Sequence, residues 1–462
     1  MNLTKFFTEY DPDVSSDLNV DPLGLQVIWS VYGQKIFKHR VSSISNDVRN
    51  YTINLFHHYV IRELIDNDGV YLSSQLLKAC DEKKDTLAFK HACIVFFENI
   101  FVYSIIQLGD KMGANTSGVL GISKARRLCN EQGNNPQLIF SNEPEKSDVL
   151  VRQILLGVSG RYKTPMIEMG FFDKNYNYNL PKSLDSWDGV KQFIENQPDL
   201  SNLKNEIEKF IRTVFEQNKK LPFISFNDVP TVLKKSYITA FSSPQFVGKY
   251  SRQFWLKNSE LDKGAAGALL RVLDEQFKNK LEKRSTAQVF FNLAKAKELD
   301  AVEVDKITNI EKIEPFLADI DLMFSLILCQ KTQTKNEVIA SWKTYGRDEG
   351  TLRNKANTLY QDKLLIKVLE GSGLKRLEAL LKLRDKQTLL EQLEHLIKYH
   401  TDIMKTRQQQ PWLISGDDDL LKVQVKQRKK PGIEDKPVGC WVNQYYIPQF
   451  YNLVAGFQGE EQ

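Results

Sequence analysis

The feature that most constrains this chain is the apolar run from Leu87 to Leu108, whose ionisable interruptions are Lys90, His91 and Glu98. As a helix it would span about 30 Å, long enough to cross a bilayer. A membrane span rarely tolerates three such side chains, so the run reads as the buried helix of a globular protein. The first residues, MNLTKFFTEYDPDVSSDL, lack a basic segment followed by an apolar one and do not read as a signal peptide. The expectation is a cytoplasmic protein with no membrane partner.

A chain of 462 residues exceeds what one core ordinarily serves, and two to four domains are expected. Hydrophobic residues make up 42% and charged residues 26%, the globular range. The net charge of +5 is too small to mark the whole chain as a nucleic-acid binder, so any such binding must come from local patches. Cys80, Cys93, Cys129, Cys329 and Cys440 are odd in number and widely spaced, with no CxxC pair. That pattern argues against a disulfide framework or a structural zinc site and fits a reducing compartment.

Periodicity divides the chain into five segments. An N-terminal helical domain is expected over 21–130, with helices near 45–65, 71–80 and 85–108, a loop over 109–121 and a basic helix capped by Ser123. Residues 131–187 are dense in Gly, Asn and aromatic residues and read as irregular. A central helical domain follows over 188–310, with a clear helix from Gly264 and a mixed stretch at 221–250. Helices near 312–329, 335–344 and 348–363, then a long pair between 374 and 406, make up a segment over 311–406. After the Gln408–Pro411 linker, residues 411–462 read as a small β-containing C-terminal unit. There Leu421, Val423 and Val425 alternate with Lys422, Gln424 and Lys426. The fold class expected is mainly α and multi-domain, built of helical bundles.

Catalytic patterns are missing or incomplete. Gly157-Val158-Ser159-Gly160-Arg161-Tyr162-Lys163-Thr164 separates its last glycine from its lysine and is followed by Pro165, so it is not a phosphate-binding loop. The same residues do not make a GxSxG nucleophile turn. His57 and His58 are adjacent, and His395 and His400 are five apart, so neither pair shares a helix face as a zinc site requires. Asp417, Asp418 and Asp419 ahead of Gln424-Val425-Lys426 approach a metal-dependent nuclease, but a glutamine stands where its second acid belongs. No cofactor or metal is expected, and no catalytic residue is assigned.

The binding signals are more informative. An apolar helix from Pro315, a short helix over Lys335–Trp342 and a turn at Gly346 lead to a third helix. On that helix and just beyond it Leu352, Ala356, Leu359 and Leu364 are expected to bury one stripe. Arg347, Thr351, Arg353, Asn354 and Lys355 are left for its outer face, ahead of a strand-like exit, Leu364–Leu369, closed by Gly371-Ser372-Gly373. This pattern resembles the winged-helix family of DNA-binding domains over about residues 314–373. The resemblance implies a recognition helix, a wing and double-stranded DNA as partner. Asp348 and Glu349 depart from it, placing negative charge at the start of the recognition helix.

Further basic and aromatic stretches include Lys249, Arg252 and Lys257, interleaved with Tyr250, Phe254 and Trp255. Arg152, Arg161 and Lys163 form another. Arg428 and Lys429 lie in an expected loop. The aromatic tail, Trp441 to Tyr451, is expected either to dock a partner or to fold back on the body. The whole chain also looks like subunits of bacterial phage-defence operons, which implies a prokaryotic antiviral setting and partners such as a separate ATPase or nuclease. The expected function is a non-enzymatic DNA-binding and protein-docking subunit of a multi-protein complex. The alternatives are the tail nuclease and a pure protein scaffold.

Overall fold

A computed structural model describes residues 21–140, 148–219, 222–279, 286–416 and 419–459. Among them the chain is mainly α, with two small antiparallel sheets. It forms two compact units. One gathers the described residues of Met1–Ile36, Thr286–Asn292 and Asp300–Tyr445, the other those of Phe37–Ser285, Leu293–Leu299 and Tyr446–Gln462.

In the second of these, helices α1 (Val48–Asp66) and α2 (Leu87–Leu108) are capped by side chains the sequence supplies at the right places. Asp47 accepts the Arg49 amide and Thr86 the Phe89 amide, which satisfies donors that a helix start leaves open. Helix α2 is long and apolar enough to cross a membrane by length and composition alone. Between Phe89 and Ile105, however, every residue but His91 is buried in the unit's core. Helices α3 (Val158–Glu168), α4 (Pro198–Glu216), α5 (Thr231–Ala240), α6 (Pro244–Ser259) and α7 (Gly264–Lys278) complete most of this unit, with α5 packed on α2 and α4. Strand β1 (Gln137–Ile139) pairs antiparallel with β2 (Phe223–Ser225), Leu138 opposite Ile224.

Three expectations change here. The stretch expected to be irregular contains α3, whose interior holds Pro165, and the mixed stretch at 221–250 contains all of α5 and the start of α6. Helix α6 hides its buried face because small residues, Gly248 and Ser251, stand between Val247 and Trp255 on it. Gly248 is required there. A Cβ at that position would lie 1.9 Å from the Gly456 carbonyl oxygen. Ser123 does not cap its helix, because Ile122–Glu131 begins after Gly121.

In the other unit, α8 (Ala301–Ile327) starts eleven residues ahead of its expected position. Asp300 caps it by accepting the Glu303 amide, and Pro315 lies inside it. Strand β3 (Thr332–Thr334) leads into α9 (Lys335–Thr344) through a reciprocal cap between Thr334 and Glu337. Helices α10 (Glu349–Gln361), α11 (Lys363–Ile366), α12 (Gly371–Leu381) and α13 (Leu389–Thr406) follow. Strands β4 (Leu413–Ser415) and β5 (Leu420–Val423) close the sheet in the order β3-β5-β4, with Gln333 opposite Leu421 and Ile414 opposite Lys422.

The expected strand at Leu364–Leu369 is instead α11 and a turn. Asp362 accepts the Leu365 amide as a cap, and Leu365 and Leu369, four residues apart, are the buried pair. The tail is also divided. Residues 420–423 pair with β3, and Arg428 donates to the Ser325 hydroxyl. The stretch at 442–445 is tied to Glu314, whose carboxylate accepts the amides of Val442 and Asn443, the Tyr445 hydroxyl and the Trp29 indole N–H at 2.6–2.8 Å. The last helix, α14 (Ile447–Gln458), belongs to the other unit, where it packs on α6 and α7.

Candidate nucleic-acid interface

The residues expected to face DNA lie on or beside α10, and the structure divides them. Leu352, Ala356 and Leu359 form the buried stripe as the spacing requires, but Leu364 lies past the end of α10 and is 77% exposed instead of buried. Arg347 is not on the outer face. Its side chain is 1% exposed and pairs with Asp319 of α8, itself 2% exposed, at 3.1 Å. It also donates to the carbonyls of Tyr345, Lys436 and Pro437. Lys355 points toward the same carboxylate, 2.5 Å from Asp319 Oδ2 and 3.1 Å from the Pro315 carbonyl. Thr351 is held by a reciprocal cap with Asp348. Arg353 donates to the Gln387 side chain at 2.7 Å, and Asn354 is exposed. A cavity of about 430 Å³ between α8 and α10 includes Lys355 and Lys312, but the Lys312 ammonium already pairs with Asp362 at 2.7 Å.

The start of α10 therefore carries acids and committed cations. Its far end is different. Tyr360 is 41% exposed, and its ring is approached by Lys363 Nζ at 3.7 Å and Arg384 Cζ at 3.6 Å from the centroid. Arg384 comes from the short 3-10 helix Lys382–Asp385, which packs against α10. Between 363 and 386 seven cations face three acids, a local excess of four in a chain whose net charge is +5. Arg376 is turned inward to the Gly24 carbonyl, and Arg384 has Asp385 at 3.5 Å. Lys363, Lys367, Lys375, Lys382 and Lys386 form no ion pair among the described residues, and all but the half-buried Lys386 are exposed. This concentration of charge is visible in the sequence as a run that follows the segment expected as a recognition helix.

The other basic stretches are less available. On α6, Lys249 and Lys257 are exposed, but Arg252 pairs with Asp274 at 2.7 Å. The aromatic residues between them face inward. Phe254 stacks on Phe193 with centroids 4.3 Å apart, Trp255 donates to the Thr52 hydroxyl, and Tyr250 donates to the Ala240 carbonyl. Lys163 is half-buried over the fully buried Tyr176 ring, and Arg161 donates to the Leu156 carbonyl. Arg428 lies 3.5 Å from Asp321, whereas Lys429 is exposed.

A buried polar cluster also lies beneath α3. His58 contacts the Ser159 hydroxyl at 3.1 Å and the Tyr178 hydroxyl at 2.8 Å, and Glu98 accepts the Ser159 amide at 2.9 Å. Burial pushes the Glu98 carboxyl up to about 7 and holds His58 well below its ordinary range. Ser159 is 2% exposed, so no substrate atom reaches its hydroxyl in this conformation. The arrangement satisfies buried polar groups. Of the acids considered for a nuclease, Asp417 and Asp418 lie outside the described residues, and Asp419 pairs with Lys335 at 3.3 Å. Among the described residues no group of three or more His, Cys, Asp or Glu side chains is placed to hold a metal. Comparison with family models, with curated proteins and with solved structures returns no match to this chain.

Proposed function

We propose that this chain is a non-enzymatic nucleic-acid-binding subunit of a larger assembly, engaging DNA through the C-terminal end of α10 and the basic segment that follows. The carrying observation is the exposed Tyr360, approached by Lys363 and Arg384, next to a segment (363–386) that holds four-fifths of the net positive charge and whose lysines form no ion pair among the described residues. Phosphates are attracted by such a surface irrespective of sequence. The winged-helix reading draws support from helices α8, α9 and α10 lying in one unit with a three-stranded antiparallel sheet whose last two strands form a hairpin. The insertion of α11 to α13 between the third helix and that hairpin is a departure from the expected pattern. Protein docking draws support from Ile433 and Val438, which leave 54% and 62% of their surface exposed. The phage-defence setting rests on the sequence resemblance alone.

The test is a titration of labelled duplex DNA with purified protein, followed by anisotropy across a salt series. Binding at low ionic strength that weakens steeply with salt is the expected result. Absence of binding at low salt removes DNA from the account and leaves the scaffold reading.

A further inference from the structure

The geometry around Tyr360 says what such a surface can read, and it rests on the nucleic-acid reading above. A cation centre 3.6 or 3.7 Å from a ring centroid must stand nearly on the ring normal, because non-bonded contact alone takes up roughly 3.5 Å. Two such centres on one face would overlap and repel. Lys363 and Arg384 therefore cover opposite faces of the Tyr360 ring, which puts the two charges roughly 7 Å apart. With a cation over each face, neither face remains open for a base to stack on, and the 41% of Tyr360 that is exposed falls to its edge and hydroxyl.

We infer that Lys363, Tyr360 and Arg384 form a clamp for two successive phosphates of one nucleic-acid strand, read without reference to base sequence. The separation of the cations is of the same order as that of neighbouring phosphates along a strand. The ring acts as a spacer. It holds two long side chains in place through cation–π contact and so reduces the freedom they lose when a strand arrives. A base-stacking platform requires an open aromatic face, which this site lacks. The Asp385 carboxylate beside Arg384 is 61% exposed and belongs to a solvent-screened pair, which a phosphate can replace.

The experiment uses the full chain and two short labelled duplexes of unrelated sequence, each titrated over a range of salt. Wild type is expected to bind both within about threefold of each other. The double variant Lys363→Gln, Arg384→Gln is expected to bind both more weakly, with the slope of log affinity against log salt reduced by about two. Tyr360→Phe is expected to match wild type, because the ring and not the hydroxyl is used, whereas Tyr360→Leu loses several-fold in affinity. A double variant that keeps the full salt slope places the phosphate contacts elsewhere and sinks the clamp, while DNA binding by the protein survives. A preference above about tenfold for one duplex, or loss of binding in Tyr360→Phe, also overturns the clamp alone. Failure of the wild type to bind either duplex overturns both this inference and the proposed function.

Discussion

Asp319 and Arg347 form an ion pair in which both side chains are withdrawn from water, with Oδ1 3.2 Å from Nε and 3.1 Å from Nη2. The remaining guanidinium donors reach the carbonyls of Tyr345, Lys436 and Pro437. One arginine thus ties α8, the turn before α10 and the tail loop. Removing one member of a buried pair leaves the other charge uncompensated. Arg347→Ala is expected to cost the unit about 3 kcal/mol in urea unfolding, with Lys355 still neutralising part of the Asp319 charge. The salt slope of DNA binding by the folded protein should stay at its wild-type value. A change in slope without a change in stability would return Arg347 to the interface.

The tail is built into both compact units. Ending the chain after Gln410 removes β4 and β5, three of the four donors to Glu314 and the whole of α14. It leaves the Glu314 carboxylate buried with only the Trp29 indole. The truncated protein is expected to aggregate or to lose cooperative melting. A soluble fragment with an unchanged melting temperature would show that the tail contributes nothing to folding.

Stability should fall on mild acidification. Burial holds His57 down to about 3 and His91 down to about 4, and it keeps His58 well below its ordinary range. The unfolded chain protonates these rings below about 6.5, so it binds more protons than the native state and gains on it as pH falls. Glu98 and Glu314 work the other way. Both are raised by burial to about 7, so their contribution is fully present below the unfolded carboxylate range and is lost as pH rises through about 7. The histidines outnumber them. The urea midpoint is therefore expected to drop between about pH 7 and about pH 5. Glu98→Gln should steepen that drop, whatever it does to absolute stability. A midpoint that rises on acidification would mean that the glutamates dominate.

The α6 aromatic residues are predicted to matter for packing alone. Phe254 lies 4.3 Å from Phe193 and 5.1 Å from Trp255, ring centroid to centroid. Phe254→Ala is expected to destabilise the protein by about 2 kcal/mol, less than a fully buried ring because Phe254 is half-buried. DNA affinity of the folded variant should be unchanged. A selective loss of single-strand binding would restore the base-stacking role expected from the Lys249–Lys257 stretch.

Local pattern was enough for some of this architecture. The apolar run at Leu87–Leu108 marked a helix withdrawn from water, and the stripe Leu352, Ala356, Leu359 placed α10 within a residue or two, because helical periodicity is a property of neighbouring residues. Aromatic density and small residues concealed α3 and α6, whose buried faces are matched to partners far away in sequence. The interface depended still more on tertiary structure. Nothing near Arg347 or Lys355 announces that Asp319, 28 and 36 residues earlier, will take both charges inside. Nothing near Tyr360 says that Arg384 will return to its ring. Whether a cation is committed depends on whether the fold brings it to a carboxylate withdrawn from water, as with Asp319, or leaves it beside an exposed group that solvent screens. The helical class and the amount of positive charge near α10 follow from the order of residues alone, whereas which of those charges face outward follows from the packing of α8 and the 3-10 helix at Lys382–Asp385.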